Sequence, residues 1–186
     1  MILKEIDHKL FKMINQDFSN PFFDTIFPFL TDIQKSVFFY VFMASIIGIL
    51  LFKRNFKSML IIFSCGAGVL LVDLLNSKFL KPFFERDRPI NRILRTDHHG
   101  SFSFPSSHAT DIFFIAMVLG LYFPKLRLVM FILAGSIASS RIYCGVHYPG
   151  DVLAGAIVGV LAGYVFFKIT ALVETKLTLK KLYNYD

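Results

Sequence analysis

Three separated stretches of this chain hold the residue types that grip anions and move protons. The first runs Lys81-Pro82-Phe83-Phe84-Glu85-Arg86-Asp87-Arg88-Pro89. With Pro82 in the first turn of a helix, where its missing N–H is harmless, Lys81 and Arg88 at i and i+7 lie nearly over one another. Two cations then face one point. The second stretch, Phe104-Pro105-Ser106-Ser107-His108, stands directly before an apolar segment. A serine there caps a helix, and the unpaired N–H groups at the positive end of its dipole make an anion site. His108 falls in the first turn, beside that anion. The third, from Ser140 and Arg141 through Gly145, His147 and Asp151, sets a guanidinium six residues before an imidazole and a carboxylate four residues after it. A lone loop histidine is more often a solvated side chain. The three stretches together supply a nucleophile, a proton donor, a phosphate clamp and an orienting acid. No thiolate or carboxylate cluster suggests a bound metal, and no cofactor is expected.

The elements that must position these groups are apolar. Of 186 residues 55% are hydrophobic, and the 20 basic and 13 acidic side chains are unevenly spread. Five stretches, 36–52, 58–75, 112–123, 128–140 and 152–167, contain a single charged residue, Asp73. A helix crossing a bilayer needs ~20 predominantly apolar residues, and a charge at its centre costs several kcal/mol. The pattern predicts an all-α polytopic membrane bundle of five spans, with the whole of 1–186 as one domain. Residues 1–35 form an N-terminal interfacial segment: Leu3, Ile6, Leu10, Met13 and Ile14 recur at helical spacing among charges, and Pro21 ends the run. The piece from Phe22 to Leu30 carries Asp24 and Pro28 and reads as interfacial or re-entrant, with a sixth, tilted span as the alternative. Gly155, Gly159 and Gly163 repeat on one helical face and allow close helix approach.

Other classes are excluded on composition. The first twenty residues mix Lys4, Glu5, Asp7, Lys9, Lys12 and Asp17 among apolar positions, so no secretory leader is expected. Two cysteines, Cys65 and Cys144, give no disulfide framework and are expected as free thiols. The net charge of +7 comes from small basic groups between spans rather than one soluble face, which argues against nucleic acid as a partner. Lysine and arginine are nearly balanced between the two sides of a five-span chain, so charge counting leaves orientation open. The 53–57 turn is placed inside because the cations of the opposite loops serve a ligand. Asp73 is expected to pair with a loop cation or backbone, and Asp111 either favours the start of its helix or contacts His108. His98 and His99 are expected as solvated loop residues. Arg92 and Arg95 are weighed equally as contacts to an anionic head group and as surface residues.

Lys81 with six residues before Arg88-Pro89, then Pro105-Ser106-Ser107-His108, then Ser140-Arg141 with five residues before His147 and three before Asp151, resembles the three-part signature of the type-2 phosphatidic acid phosphatase superfamily. Residues 81–151 carry it. Ser107 departs from the glycine usual there, though its small side chain lets the backbone N–H reach a phosphate. The resemblance implies that His147 attacks phosphorus and becomes phosphohistidine, that Asp151 orients it, and that His108 protonates the leaving oxygen. Lys81, Arg88, Ser106, Ser107 and Arg141 then hold the phosphoryl oxygens, with Arg92 and Arg95 towards the head group. It implies a membrane lipid phosphate as substrate, with lipid A 1-phosphate favoured over undecaprenyl pyrophosphate and phosphatidylglycerol phosphate, and an outward-facing site in a bacterial inner membrane. Two rivals remain. A vanadate-dependent haloperoxidase would use the same pocket in a larger soluble chain, and a non-catalytic lipid-binding protein would not need both histidines.

Overall fold

The computed structural model describes residues 2–33, 37–52, 56–90, 92–96 and 102–183. The secondary structure among these is entirely helical. Helix α1 (Ile2–Lys12) passes through a π-helical turn at Met13–Asp17, and α2 (Pro21–Asp32) follows. Pro21 opens α2 as much as it closes the preceding run: the Asn20 side chain accepts the Phe23 N–H at 3.0 Å, and proline at the next position needs no donor. Helices α3 (Val37–Phe52) and α4 (Phe56–Leu75) come next. A second π-helical turn, Asn76–Leu80, joins α4 to α5 (Lys81–Phe84). The core and the C-terminal half are α6 (Ser107–Tyr122), α7 (Arg127–Tyr143) and α8 (Pro149–Tyr183).

Three helical stretches are long and apolar enough to cross a membrane, Phe56–Phe84, Pro124–Tyr143 and Pro149–Leu177. Their outward residues, including Phe63, Leu70, Leu161 and Leu172, are exposed large hydrophobics, as lipid-facing surfaces require. Helices α3 and α6 have 16 residues each. At 1.5 Å per residue that is about 24 Å, short of the ~30 Å hydrocarbon core. Helix α2, at 12 residues, is shorter still.

Helix α6 is the centre of the bundle. Helices α4, α7 and α8 all pack on it, and Phe114 and Val118 on α6 are fully buried with Val72 of α4 nearby. The glycine stripe on α8 explains its closeness to α6. A Cβ at Gly155 would stand 2.5 Å from the Ser106 carbonyl oxygen, one at Gly163 2.8 Å from that of Phe114, and one at Gly159 would collide with the Thr110 carbonyl. Backbone cannot swing aside as a side chain can. Gly159→Ala is expected to lower stability by about 1–3 kcal/mol through overpacking, read as a lower unfolding temperature in detergent. An unchanged unfolding temperature would refute this contact. Farther along, Ser64 of α4 and Thr170 of α8 share a buried hydroxyl hydrogen bond of 2.6 Å, the polar contact that holds helices together in lipid.

Candidate active site

Each signature segment sits where a long helix ends or begins. The first differs from its expected local form. Pro82 does occupy the first turn of α5, but that turn continues α4 through the π-helical segment, just upstream of where Pro82 removes the donor for the Lys78 carbonyl. The helix stops at Phe84, because Glu85 turns left-handed with φ 43° and donates its N–H to the Lys81 carbonyl at 3.0 Å. Arg88 therefore lies beyond the helix, and Lys81 and Arg88 meet through this turn rather than by stacking at i and i+7.

Ser103 pins the extended stretch after the turn, donating its N–H to the Arg86 carbonyl at 2.7 Å and its hydroxyl to that of Asp87 at 3.0 Å. Arg88 is then directed inward. Its Nη1 donates to the Val146 carbonyl at 2.6 Å and lies 3.2 Å from His147 Nε2, while Nη2 donates to the Phe102 carbonyl at 3.3 Å. Arginine donates only, so this contact makes Nε2 the acceptor and puts the ring proton on Nδ1.

The second segment folds as its residue types require. Ser106 is the N-cap of α6, its hydroxyl accepting the Ala109 N–H at 3.4 Å, and its own N–H bonds the Asp151 carbonyl at 3.0 Å. Ser107 and His108 begin the helix, where backbone N–H groups have no carbonyl within the helix to bond. His108 lies within electrostatic reach of Arg141, His147 and Lys81.

The third segment reverses direction between α7 and α8. Gly145, at φ 81°, makes the turn, and a Cβ there would come within 2.6 Å of the Ile93 carbonyl oxygen. His147 is almost fully buried, with Nδ1 3.6 Å from Asp151 Oδ2. That separation is longer than a formed hydrogen bond, and such contacts tighten when substrate is bound. Asp151 is completely buried. Its Oδ2 accepts the Tyr148 N–H at 2.8 Å, closing the first turn of α8, and Oδ1 accepts from Arg86 Nη1 at 2.7 Å. Arg141 is buried too: Nη1 donates to Thr31 Oγ1 at 2.9 Å, while Nε has no hydrogen-bond partner among the described residues.

Burial holds the His147 imidazole well below its ordinary pKa, and Arg88, Arg141 and Lys81 push it further in the same direction. The ring is neutral at pH 7. Burial and then Arg141 bring Arg88 down to about 10, which still leaves it a cation at neutral pH. The Cys144 thiol in the same loop is pushed up to about 11 by burial and is no nucleophile. Cys65 and Cys144 are both free thiols.

The remaining expected residues divide. Arg92 Nη1 is buried with no hydrogen-bond partner among the described residues and lies within electrostatic reach of Arg88. Arg95 instead fastens the N-terminal segment: Nε pairs with Asp24 at 2.6 Å, Nη1 donates to the Asn15 and Tyr143 carbonyls at 2.9 Å each, and Nη2 to Ser19 Oγ at 2.7 Å. Asp111 Oδ1 is buried without a hydrogen-bond partner among the described residues, and both Asp111 and Asp73 are within electrostatic reach of Lys81. His98 and His99, like Lys53, Arg54 and Asn55, lie outside the described residues. Arg86 and Asp7 were missed as site residues. Arg86 sits two positions before Arg88 on an extended stretch, so a period of two puts them on one face, but nothing in the sequence points to Asp7. A cavity of about 1030 Å³ opens beside these groups, with Leu3, Ile6 and Leu153 among its apolar walls and Lys4, Arg86 and Arg88 among its polar ones.

Cations converging on a buried neutral imidazole, at the end of a membrane bundle, suit an enzyme that takes a phosphoryl group from a lipid. The chain belongs to the PAP2 superfamily, which it matches over residues 57–173. It is similar to a lipid A 4′-phosphatase of Bacteroides thetaiotaomicron, 32% identical over 189 residues, covering 93% of this chain and 82% of that protein. It is also 32% identical to phosphatidylglycerophosphatase B of Bacillus subtilis over 61% of this chain and 58% of that protein. Among solved structures, LpxE of Aquifex aeolicus superposes with a TM-score of 0.66 at 30% identity, covering 86% of this chain and 93% of that one. A transmembrane PAP2 type phosphatidylglycerolphosphate phosphatase from Bacillus subtilis gives 0.67 at 26% identity, covering 94% and 87%. The chain is a membrane hydrolase of phosphoester or pyrophosphate bonds in lipids.

Proposed function

We propose that this enzyme removes a phosphate monoester from a lipid A-type glycolipid through a phosphohistidine on His147. The observation that carries the reading is the Arg88 guanidinium 3.2 Å from His147 Nε2, with Asp151 3.6 Å from the other ring nitrogen. A phosphate held by Arg88 puts its phosphorus next to Nε2. The negative charge of the bound phosphate lets His108 take up a proton from solvent. As the N–P bond forms and the P–O bond breaks, His108 gives that proton to the leaving oxygen, and the same residue, now neutral, takes one from the water that cleaves the phosphoenzyme. Asp151 meets the charge that develops on the ring. Lys81, Arg88, Arg141, Ser106 and the Ser107 and His108 N–H groups hold the phosphoryl oxygens, so the chemistry runs without a metal.

The cavity beside Arg88, apolar on the side formed by Leu3, Ile6 and Leu153, fits the lipid part of such a substrate. Arg92, whose buried Nη1 has no partner among the described residues, faces the head group, whereas the contacts of Arg95 give it a structural role. The whole of 1–186 acts as one phosphatase domain with five spans, α3 and α6 crossing as short ones. Helices α1 and α2 lie in the interface, and the site faces outward from a bacterial inner membrane. Similarity across 93% of the chain to a lipid A 4′-phosphatase favours the 4′-phosphate over the 1-phosphate.

The test is phosphate release in detergent with chelator present, comparing bis-phosphorylated lipid A, undecaprenyl pyrophosphate and phosphatidylglycerol phosphate. Lipid A should be the fastest, losing its 4′-phosphate. Release from either of the other lipids alone would overturn the substrate and leave the mechanism standing.

The low pKa of His147 sets a pH dependence. The attacking ring must be neutral, so as pH falls kcat/KM declines only when His147 protonates, well below its ordinary 6.5. Arg88→Ala removes a cation that depresses this pKa, so the acid limb should move to higher pH. A limb that stays in place in that variant would contradict the electrostatic account.

A further inference from the structure

Arg86 falls between the signature positions Lys81 and Arg88 and is not one of them, yet its guanidinium joins carboxylates of α1 and α8. Nη1 bonds Asp151 Oδ1 at 2.7 Å and Nη2 bonds Asp7 Oδ2 at 2.5 Å. The other oxygen of Asp7 accepts the Gly150 N–H at 2.7 Å, so this one carboxylate on α1 holds both Arg86 and the start of α8. The guanidinium lies 4.3 Å above the Tyr148 ring, and His8, the next residue on α1, packs against that ring at 4.7 Å. Asp7 and Arg86 side chains are 12% and 21% exposed, so solvent screens these contacts only in part.

We propose that Asp7 is a positioning residue for catalysis, acting through Arg86 on Asp151 and so on His147. This rests on the roles of His147 and Asp151 given above. Asp151 has two oxygens and four neighbours, the Tyr148 N–H, Arg86, the Ser103 hydroxyl and His147. Tyr148 N–H and Arg86 fix the carboxylate plane, and that plane decides whether Oδ2 faces His147 Nδ1. Charge matters as much as direction. One guanidinium between two carboxylates leaves a net negative charge, and Asp151 keeps enough of it to meet the cationic ring that forms during phosphoryl transfer. With Asp7 neutral, Arg86 is matched by Asp151 alone and draws that charge away from the ring. None of the donors that hold the phosphoryl oxygens is involved, and asparagine keeps the shape of the cavity wall, so binding should be spared.

The experiment is steady-state kinetics in detergent on whichever of the three lipids the wild type hydrolyses fastest. Asp7→Asn keeps the side-chain shape and should lower kcat about tenfold, the effect typical of an outer-shell partner, with KM within about twofold. Asp7→Glu, which keeps the charge, should recover most of that loss. Arg86→Gln should also lower kcat, and adding Asp7→Asn to it should cost less than about twofold more, because the path is already cut. An unchanged kcat in Asp7→Asn, or the same loss in the Arg86→Gln background as in the wild type, would overturn the proposal. Asp151→Asn in the same assay separates the two levels. If it keeps kcat, the role given to Asp151 falls and takes this proposal with it. If it loses kcat while Asp7→Asn does not, the proposal about Asp7 alone falls.

Discussion

His147→Ala is expected to lower phosphate release on the order of 10⁴-fold or more, the scale of losing a nucleophile whose partners remain in place. In barrier terms this is roughly 5–6 kcal/mol, at 1.36 kcal/mol per decade. The side chain is almost fully buried, so its loss leaves a cavity, but Nδ1 makes no formed hydrogen bond among the described residues and Arg88 keeps its bonds to the Val146 and Phe102 carbonyls. The loop keeps its backbone bonds from Val146 and His147 N–H to the Arg141 carbonyl, at 3.1 and 3.3 Å. Inactivity should therefore come with unchanged elution in detergent and a near-native unfolding temperature. Activity within tenfold of the wild type would remove His147 from the mechanism.

Arg88→Ala should cost a hundredfold or more in kcat/KM. A unit charge pair at 4 Å is worth ~4 kcal/mol at an effective dielectric of ~20, and deleting one preorganised donor costs on the order of 3 kcal/mol. Lys81 and Arg141 remain and offset part of the lost charge, which keeps the loss below that of His147→Ala. Arg88 also ties the 86–90 stretch to the nucleophile loop through Val146. Arg88→Lys restores the charge without the planar fork that reaches Val146, His147 and Phe102 together, so it should recover only part of the rate. Full recovery by lysine would show that charge alone matters, and wild-type activity in Arg88→Ala would contradict the clamp.

The residues that carry these expectations were legible because spacing rules cross distance. Lys81, Arg88, Ser106, His108, Arg141, His147 and Asp151 announce themselves by type and interval, and the glycine stripe on α8 by a period of four. Helix ends were less legible. The π-helical turn at Asn76–Leu80 and the left-handed Glu85 depend on packing, so the sequence suggested one helix carrying Lys81 and Arg88 where the chain turns between them. The number of spans was legible only in part. Apolar runs predicted five crossings, but α3 and α6 at 16 residues fall short of the length that identifies a span by itself. Long-range polar contacts were least legible. Asp7 meets Arg86 across 79 positions and Arg141 meets Thr31 across 110. A carboxylate among the charges of an amphipathic helix looks the same whether it faces water or an arginine. Arg95 shows the reverse case, a cation with the look of a ligand contact that is engaged by Asp24, Asn15 and Tyr143.

The most direct test of phosphoryl transfer to His147 is to stop a reaction on ³²P-labelled lipid with alkali during turnover and locate the label in the protein. The expected result is an alkali-stable, acid-labile phosphate on the peptide holding His147, which disappears in His147→Ala. Turnover at the full rate with no protein-bound label, or with label on another residue, would contradict the account.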